Sequence, residues 1–124
     1  MLGTVQFGLN YGIANTSGKP SLDEVKAIFK YAYEHNLTAL DTSRAYGDSE
    51  EVIGKALTDL GLLDKFFIVT KIPVIPADCD PEKFIEQSLC KSRELLRLDT
   101  IPVALFHNEN DVGLYVSIKM MMRR

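Results

Sequence analysis

The sequence predicts an α/β domain in which about four short parallel strands alternate with helices. Two observations carry this reading. Short apolar, β-favouring segments recur about every 30 residues, the length of one βα unit. Between them lie longer segments with helical spacing and recognisable start signals. Strict alternation of this kind implies a parallel sheet built by right-handed crossovers.

The first strand is expected over "GTVQFG" (3–8), which is apolar-rich and bounded by glycines. A helix follows over 21–36, where Ser21 and Glu24 stand at capping-box spacing after Pro20. Val25, Ile28, Phe29 and Ala32 then fall at i, i+3, i+4 and i+7, one apolar stripe. "LTALDT" (37–42) is the second strand. The second helix covers 48–60, with Asp48 or Ser49 as cap and acids in its first turn, where the helix dipole favours them. "KFFIVTKI" (65–72) is the third strand, dense enough in Phe, Ile and Val to be buried on both faces. Asp80 and Pro81 open a third helix over 80–98, with Ile85, Leu89, Leu95 and Leu96 on its apolar side. "IPVALFHN" (101–108) is the fourth strand, with its proline where a strand tolerates one. Residues 1–110 thus form one repeating unit. Residues 111–124 read as an irregular tail, in which only "GLYVSIKM" has strand character.

The chain's 124 residues suit one domain, and 46% hydrophobic with 25% charged residues is the composition of a globular protein. A net charge of -3 gives no electrostatic footprint for nucleic acid or an anionic membrane. No uncharged apolar run reaches the length of a bilayer span. The start, "MLGTVQFGLNYG", lacks the basic head and apolar core of a signal peptide. Two cysteines, Cys79 and Cys90, have neither metal nor redox-pair spacing, which suits idle thiols in a cytoplasmic protein. Two folds fit the alternation: an open doubly wound sheet, or part of a (β/α)8 barrel. The glycines at 8, 12 and 18 do not make the G-x-G-x-x-G turn that a dinucleotide fold would want.

In both folds chemistry collects beyond the carboxyl ends of the strands. Four polar residues land there: Asp41 ends the second strand, Tyr46 lies in the loop it feeds, Lys71 ends the third and His107 the fourth. Taken singly, each would pass as a loop start or a cap. Together they compose a proton-donor site. A free phenol, with a pKa of about 10, is a poor acid at neutral pH, and a nearby ammonium makes it a better one. A buried ammonium needs a carboxylate partner. A neutral imidazole can hydrogen-bond a substrate oxygen and hold it near the phenol. Such a set suits protonation of a carbonyl oxygen as a hydride reaches carbon. Asp41 and His107 alone are too few to define a metal site, so no metal is expected. Arg44 reads as an exposed loop residue, His35 as a solvated helix end, Tyr11 as a candidate pocket wall, and Tyr31 and Tyr33 as helix-surface and packing residues.

"GTVQFG", "LDTSRAYGDSEEVIGKAL", "FFIVTKI" and "VALFHN", in this order and spacing, resemble the first half of an aldo-keto reductase. The resemblance covers residues 1 to about 110, and the Asp-to-Tyr segment is its most specific part. It implies a partial (β/α)8 TIM barrel, a half-barrel of about four strands. It further implies reduction of an aldehyde or ketone by NADPH, or NADH, without a metal. The family's tetrad maps onto Asp41, Tyr46, Lys71 and His107, with Tyr46 as general acid, Lys71 paired with Asp41 to tune it, and His107 orienting the carbonyl. Gly3, Thr4 and Asp41 would lie near the nicotinamide end of the cofactor.

An eight-stranded barrel takes about 250 residues, and the groups that grip the rest of the cofactor belong to its later strands in this family. The resemblance therefore implies a truncated reductase with weak turnover. Four strands alone would expose two edges and an inner sheet face. A second copy could complete the sheet as a homodimer. The contrasting expectation is a non-catalytic half-barrel that acts as an interaction module. Neither the carbonyl substrate nor the choice between NADPH and NADH is legible in these residues.

Overall fold

A computed structural model describes residues 1–12 and 18–113. The elements are β1 (Leu2–Gly3), α1 (Val5–Gly8), α2 (Leu22–Glu34), β2 (Ala39–Asp41), α3 (Ser49–Leu60), β3 (Phe67–Ile72), α4 (Pro81–Leu96) and β4 (Val103–Phe106). A single 3-10 turn at Leu63–Lys65 leads into β3. All strand pairs are parallel, in the order β1-β2-β3-β4. Sequential order with right-handed crossovers puts every helix on the same side of the sheet. A doubly wound sheet reverses its order and carries helices on both faces. The observed topology is therefore a sector of a barrel wall.

The first strand is shorter than the sequence suggested. Thr4 turns both its N–H and its hydroxyl onto the Asp41 carbonyl, at 3.1 and 2.9 Å, and the ladder stops there. The chain then coils into α1, with the Phe7 N–H donating to the Thr4 carbonyl. Burial drives the turn: Phe7 meets Phe29 edge-on at 5.5 Å, which a continuing strand could not reach. Gly8 lies against the Tyr46 carbonyl so closely that any Cβ there would collide with it. The other strands are trimmed at their ends, as terminal residues usually are.

Helix starts follow the expected chemistry in two cases and depart from it in one. Ser21 and Glu24 close a full capping box on α2. Asp80 accepts from the Glu82 and Lys83 N–H groups, with Pro81 in the first turn of α4. Asp48 occupies the cap position of α3, but its carboxylate pairs with Lys19 at 2.7 Å and makes no cap bond.

The main core lies between sheet and helices. Leu40 and Ile68 from the strands meet Val25, Phe29, Ile53, Leu57 and Leu96 from α2, α3 and α4. Ile28, expected on the α2 stripe, is exposed and lines a surface cleft instead. A smaller cluster of Ile72, Ile75 and Ile85 closes the β3–α4 end. In β3, Ile68 to Thr70 and Ile72 are buried, but Phe67 is half exposed, so burial on both faces holds only for its upper part. Residues 110–113 are helical rather than irregular, because Asn108 accepts from Asn110 and Asp111 and starts a turn. The Asp111 carboxylate, buried, then accepts from the Ile75 N–H. The remainder of the strand-like stretch, from 114 on, lies outside the described residues.

Candidate active site

Strand register brings the site together. Asp41 pairs with Val69, and Lys71 stands two residues further along β3, so the two side chains are diagonal neighbours on one face. The Lys71 ammonium reaches the Asp41 carboxylate at 2.7 Å and the Thr42 carbonyl at 3.0 Å. It also lies 3.5 Å from the Tyr46 hydroxyl and 5.1 Å from the centre of its ring. Lys71 is more enclosed than Asp41, with 18% against 33% of the side chain exposed. A charge that deep is tolerable because a carboxylate and a carbonyl both face it.

Tyr46 is placed by backbone bonds on either side. Its N–H donates to the Ser43 carbonyl, and its carbonyl accepts from the Ser49 N–H at the start of α3. The His107 N–H donates to Ile72 just beyond β4, and its ring stands 6.2 Å from the Tyr46 ring at 82°. Asp41, Tyr46, Lys71 and His107 therefore converge at the carboxyl ends of β2, β3 and β4.

Gly3 pairs with Asp41 in register, and nothing lies within 4 Å of where its Cβ would be. Thr4 is different: it is fully buried, and its hydroxyl is held by Asp41 and Ser49. Its N–H and hydroxyl both hold the Asp41 carbonyl, so it positions the backbone of that residue.

Beneath the tetrad lies a buried polar layer that the sequence reading missed. Ser49 stands within 3.0 Å of the Thr4 carbonyl and the Thr42 hydroxyl, tying α3 to the ends of β1 and β2. Glu50, 1% exposed, accepts from the Thr70 hydroxyl at 2.6 Å and from the Arg44 guanidinium at 3.2 Å. Arg44 is thus a half-buried anchor of the Tyr46 loop and not a free loop residue. The signal for Glu50 was available: Ile53, Gly54 and Leu57 follow it at i+3, i+4 and i+7, and all are buried. Ser43, also buried, contacts His107. Tyr11, Tyr31 and Tyr33 are exposed, and His35 stacks on Tyr31 at 3.9 Å. Among the described residues no three His, Cys, Asp or Glu side chains form a metal-binding group. No helix among them is long and apolar enough to cross a membrane.

The chain is similar to known proteins in sequence and fold. D-arabinose 1-dehydrogenase of Saccharomyces cerevisiae is 33% identical over 95 residues, which are 73% of this chain and 28% of the yeast protein. Protein REDOX 2 of Catharanthus roseus is 31% identical over 105 residues, 80% of this chain and 31% of its own length. This chain thus spans less than a third of each. Among solved structures, a Pseudomonas aeruginosa protein assigned to the aldo-keto reductases superposes with a TM-score of 0.73 at 30% identity, over 87% of this chain and 42% of that one. An aldo-keto reductase of Klebsiella pneumoniae in complex with NADPH gives 0.63 at 26% identity, over 86% and 34%. The four-stranded sheet is therefore part of a (β/α)8 barrel. The profile of the Aldo/keto reductase family matches residues 1–112, and the chain belongs to that family.

Proposed function

We propose that the chain carries the proton-donor side of an NAD(P)H-dependent carbonyl reductase, acting on an aldehyde or ketone. One observation carries the proposal: Lys71 lies between the Asp41 carboxylate, at 2.7 Å, and the Tyr46 hydroxyl, at 3.5 Å. Tyr46 then gives its proton to the carbonyl oxygen as that oxygen gains charge. Lys71 stabilises the phenolate left behind, and Asp41 keeps the ammonium in place. His107 hydrogen-bonds the same oxygen and aims it at Tyr46. A nicotinamide cofactor, when bound, supplies the hydride.

The residues present fit the reactive end of such a cofactor. Gly3 leaves open space beside Asp41, and both are proposed contacts of the nicotinamide end. NADPH is the proposed form, with NADH the alternative. Turnover by the isolated chain is expected to be weak, because the described residues present the proton donors but no comparable grip on the cofactor's phosphates. A small carbonyl compound in the cytoplasm is the proposed substrate.

The test is NADPH oxidation with a reactive aldehyde, followed by absorbance. Tyr46→Phe should abolish it with the melting temperature unchanged. Equal rates in the two proteins would overturn the proposal.

A second reading has its own support. On the sheet face opposite the helices, Phe67 and Leu105 are 50% and 47% exposed. An inert half-barrel would use that face to bind a partner, a second copy included. NADPH titration with solution mass measured on the same sample separates the two. Micromolar affinity sinks the inert reading, and a stable dimer without NADPH binding favours it.

A further inference from the structure

We infer that Ser43 sets the tautomer of His107, holding the imidazole with its proton on Nε2. Ser43 is fully buried, and its Oγ accepts from the Ala45 N–H at 3.1 Å. The same oxygen lies 3.3 Å from His107 Nδ1. A serine hydroxyl has one proton to give and two lone pairs to offer. With Ala45 on one lone pair, two arrangements remain. In the first, Ser43 donates to Nδ1, and both groups are satisfied. In the second, Nδ1–H donates to Ser43, and the serine proton is left buried with no acceptor among the described residues. Buried hydroxyl protons are rarely left so, because the group loses water and gains nothing in exchange. The first arrangement therefore holds, and Nδ1 is the acceptor.

The proton of the neutral ring then sits on Nε2, the nitrogen turned away from Ser43. His107 is itself exposed, so this N–H can meet a ligand oxygen. Ser43 is a positioning residue: it touches no substrate, and it decides which ring nitrogen donates. The tautomer stands independently of the proposed reduction. Only its use, to hold a carbonyl oxygen beside Tyr46, rests on that proposal.

The molecule contains its own control. Its other histidine, His35, has Nδ1 2.8 Å from the Tyr31 carbonyl, which can only accept. His35 therefore carries its proton on Nδ1, the opposite arrangement.

The experiment is a long-range 1H–15N correlation spectrum of the full 15N-labelled chain, above the ordinary imidazole range near pH 6.5. His35→Gln assigns the two rings. We expect a far-downfield, unprotonated Nδ1 in His107 and a far-downfield Nε2 in His35. In Ser43→Ala the His107 Nδ1 resonance should move upfield toward a tautomer average while His35 stays fixed. Ser43→Thr, which keeps the hydroxyl, should retain the wild-type pattern. A protonated Nδ1 in wild-type His107, or no shift in Ser43→Ala, overturns the inference. If the His35 pattern also collapses in Ser43→Ala, the variant has unfolded, and Ser43→Cys, a weaker donor, takes its place. The same two outcomes then decide. Turnover is not needed, so an inactive chain with the Nε2–H tautomer refutes the reduction and leaves Ser43 in its role.

Discussion

Leu40 and Asp41 are neighbours in one strand, yet they belong to two different parts of the molecule. Leu40 faces the helices and is fully buried among Phe29, Ile53 and Leu57. Asp41 faces the open side and holds Lys71 in place. The helix-covered face is dry and closely packed, whereas the open face combines a charged cluster with half-exposed Phe67 and Leu105. The two-residue period of a strand makes this division possible. A strand can commit alternate residues to stability and to chemistry, so the two can be perturbed apart.

The sharpest test substitutes the two neighbours in turn. Leu40→Ala leaves a cavity in the helix-covered core and should destabilise the chain by about 3 kcal/mol in denaturant unfolding. Asp41→Asn removes the carboxylate from Lys71, which keeps the Thr42 carbonyl, and should lower the unfolding midpoint by less than Leu40→Ala does. NADPH oxidation should then fall far more than stability does. If Asp41→Asn unfolds the chain as readily as Leu40→Ala, the separation of the faces is wrong.

How much of this division could be read from residues alone follows from how local each cause is. Asp41, Lys71 and His107 each end an apolar run, and parallel strands carry such ends to one side, so the tetrad was legible. The capping chemistry of Ser21 and Asp80 was equally local. The end of β1 was not, because Thr4 stops the ladder through Asp41, 37 residues away. The Glu50 cluster was hidden for the same reason: its partners, Arg44 and Thr70, come from a loop and a strand. Ser43 meets His107 across 64 residues, and a serine between Thr and Arg gives no sign of it. The alternation by itself did not divide barrel from doubly wound sheet; the resemblance pointed to the barrel, and the strand order agrees with it.

Glu50 is where the comparison should break. Its carboxylate sits under the helix-covered side, bonded to Thr70, but it also anchors Arg44 in the loop that carries Tyr46. Glu50→Ala strands a buried hydroxyl and a half-buried guanidinium, a loss of about 2 kcal/mol. It should also slow NADPH oxidation, because the Tyr46 loop loses its tie. Glu50→Gln keeps one acceptor oxygen for Thr70 but loses the Arg44 bond, and should recover part of the stability. A stability loss with unchanged turnover would show that the two faces remain independent even here.

The smallest expected effect lies on the outer surface of the helices, furthest from both the core and the site. Lys26 on α2 meets Asp59 on α3 at 2.8 Å. The hydrogen bond from Lys26 holds the Asp59 carboxyl below its ordinary value, and the Asp59 partner raises Lys26. A depressed carboxyl contributes stability above its unfolded pKa and loses it as pH falls through the folded one. A raised lysine contributes below its unfolded pKa and loses it as pH climbs through its folded value. The pair therefore acts on a plateau between the ordinary carboxylate and lysine ranges. Both side chains reach water, which screens the attraction. Asp59→Asn should lower the melting temperature least of the series at pH 7. The difference from wild type should close as pH drops below about 3.9, and also in high salt. Turnover and the His107 tautomer should not change at all. An effect on either would mean that this outer pair is coupled to the open face through α3, whose Glu50 holds the Tyr46 loop.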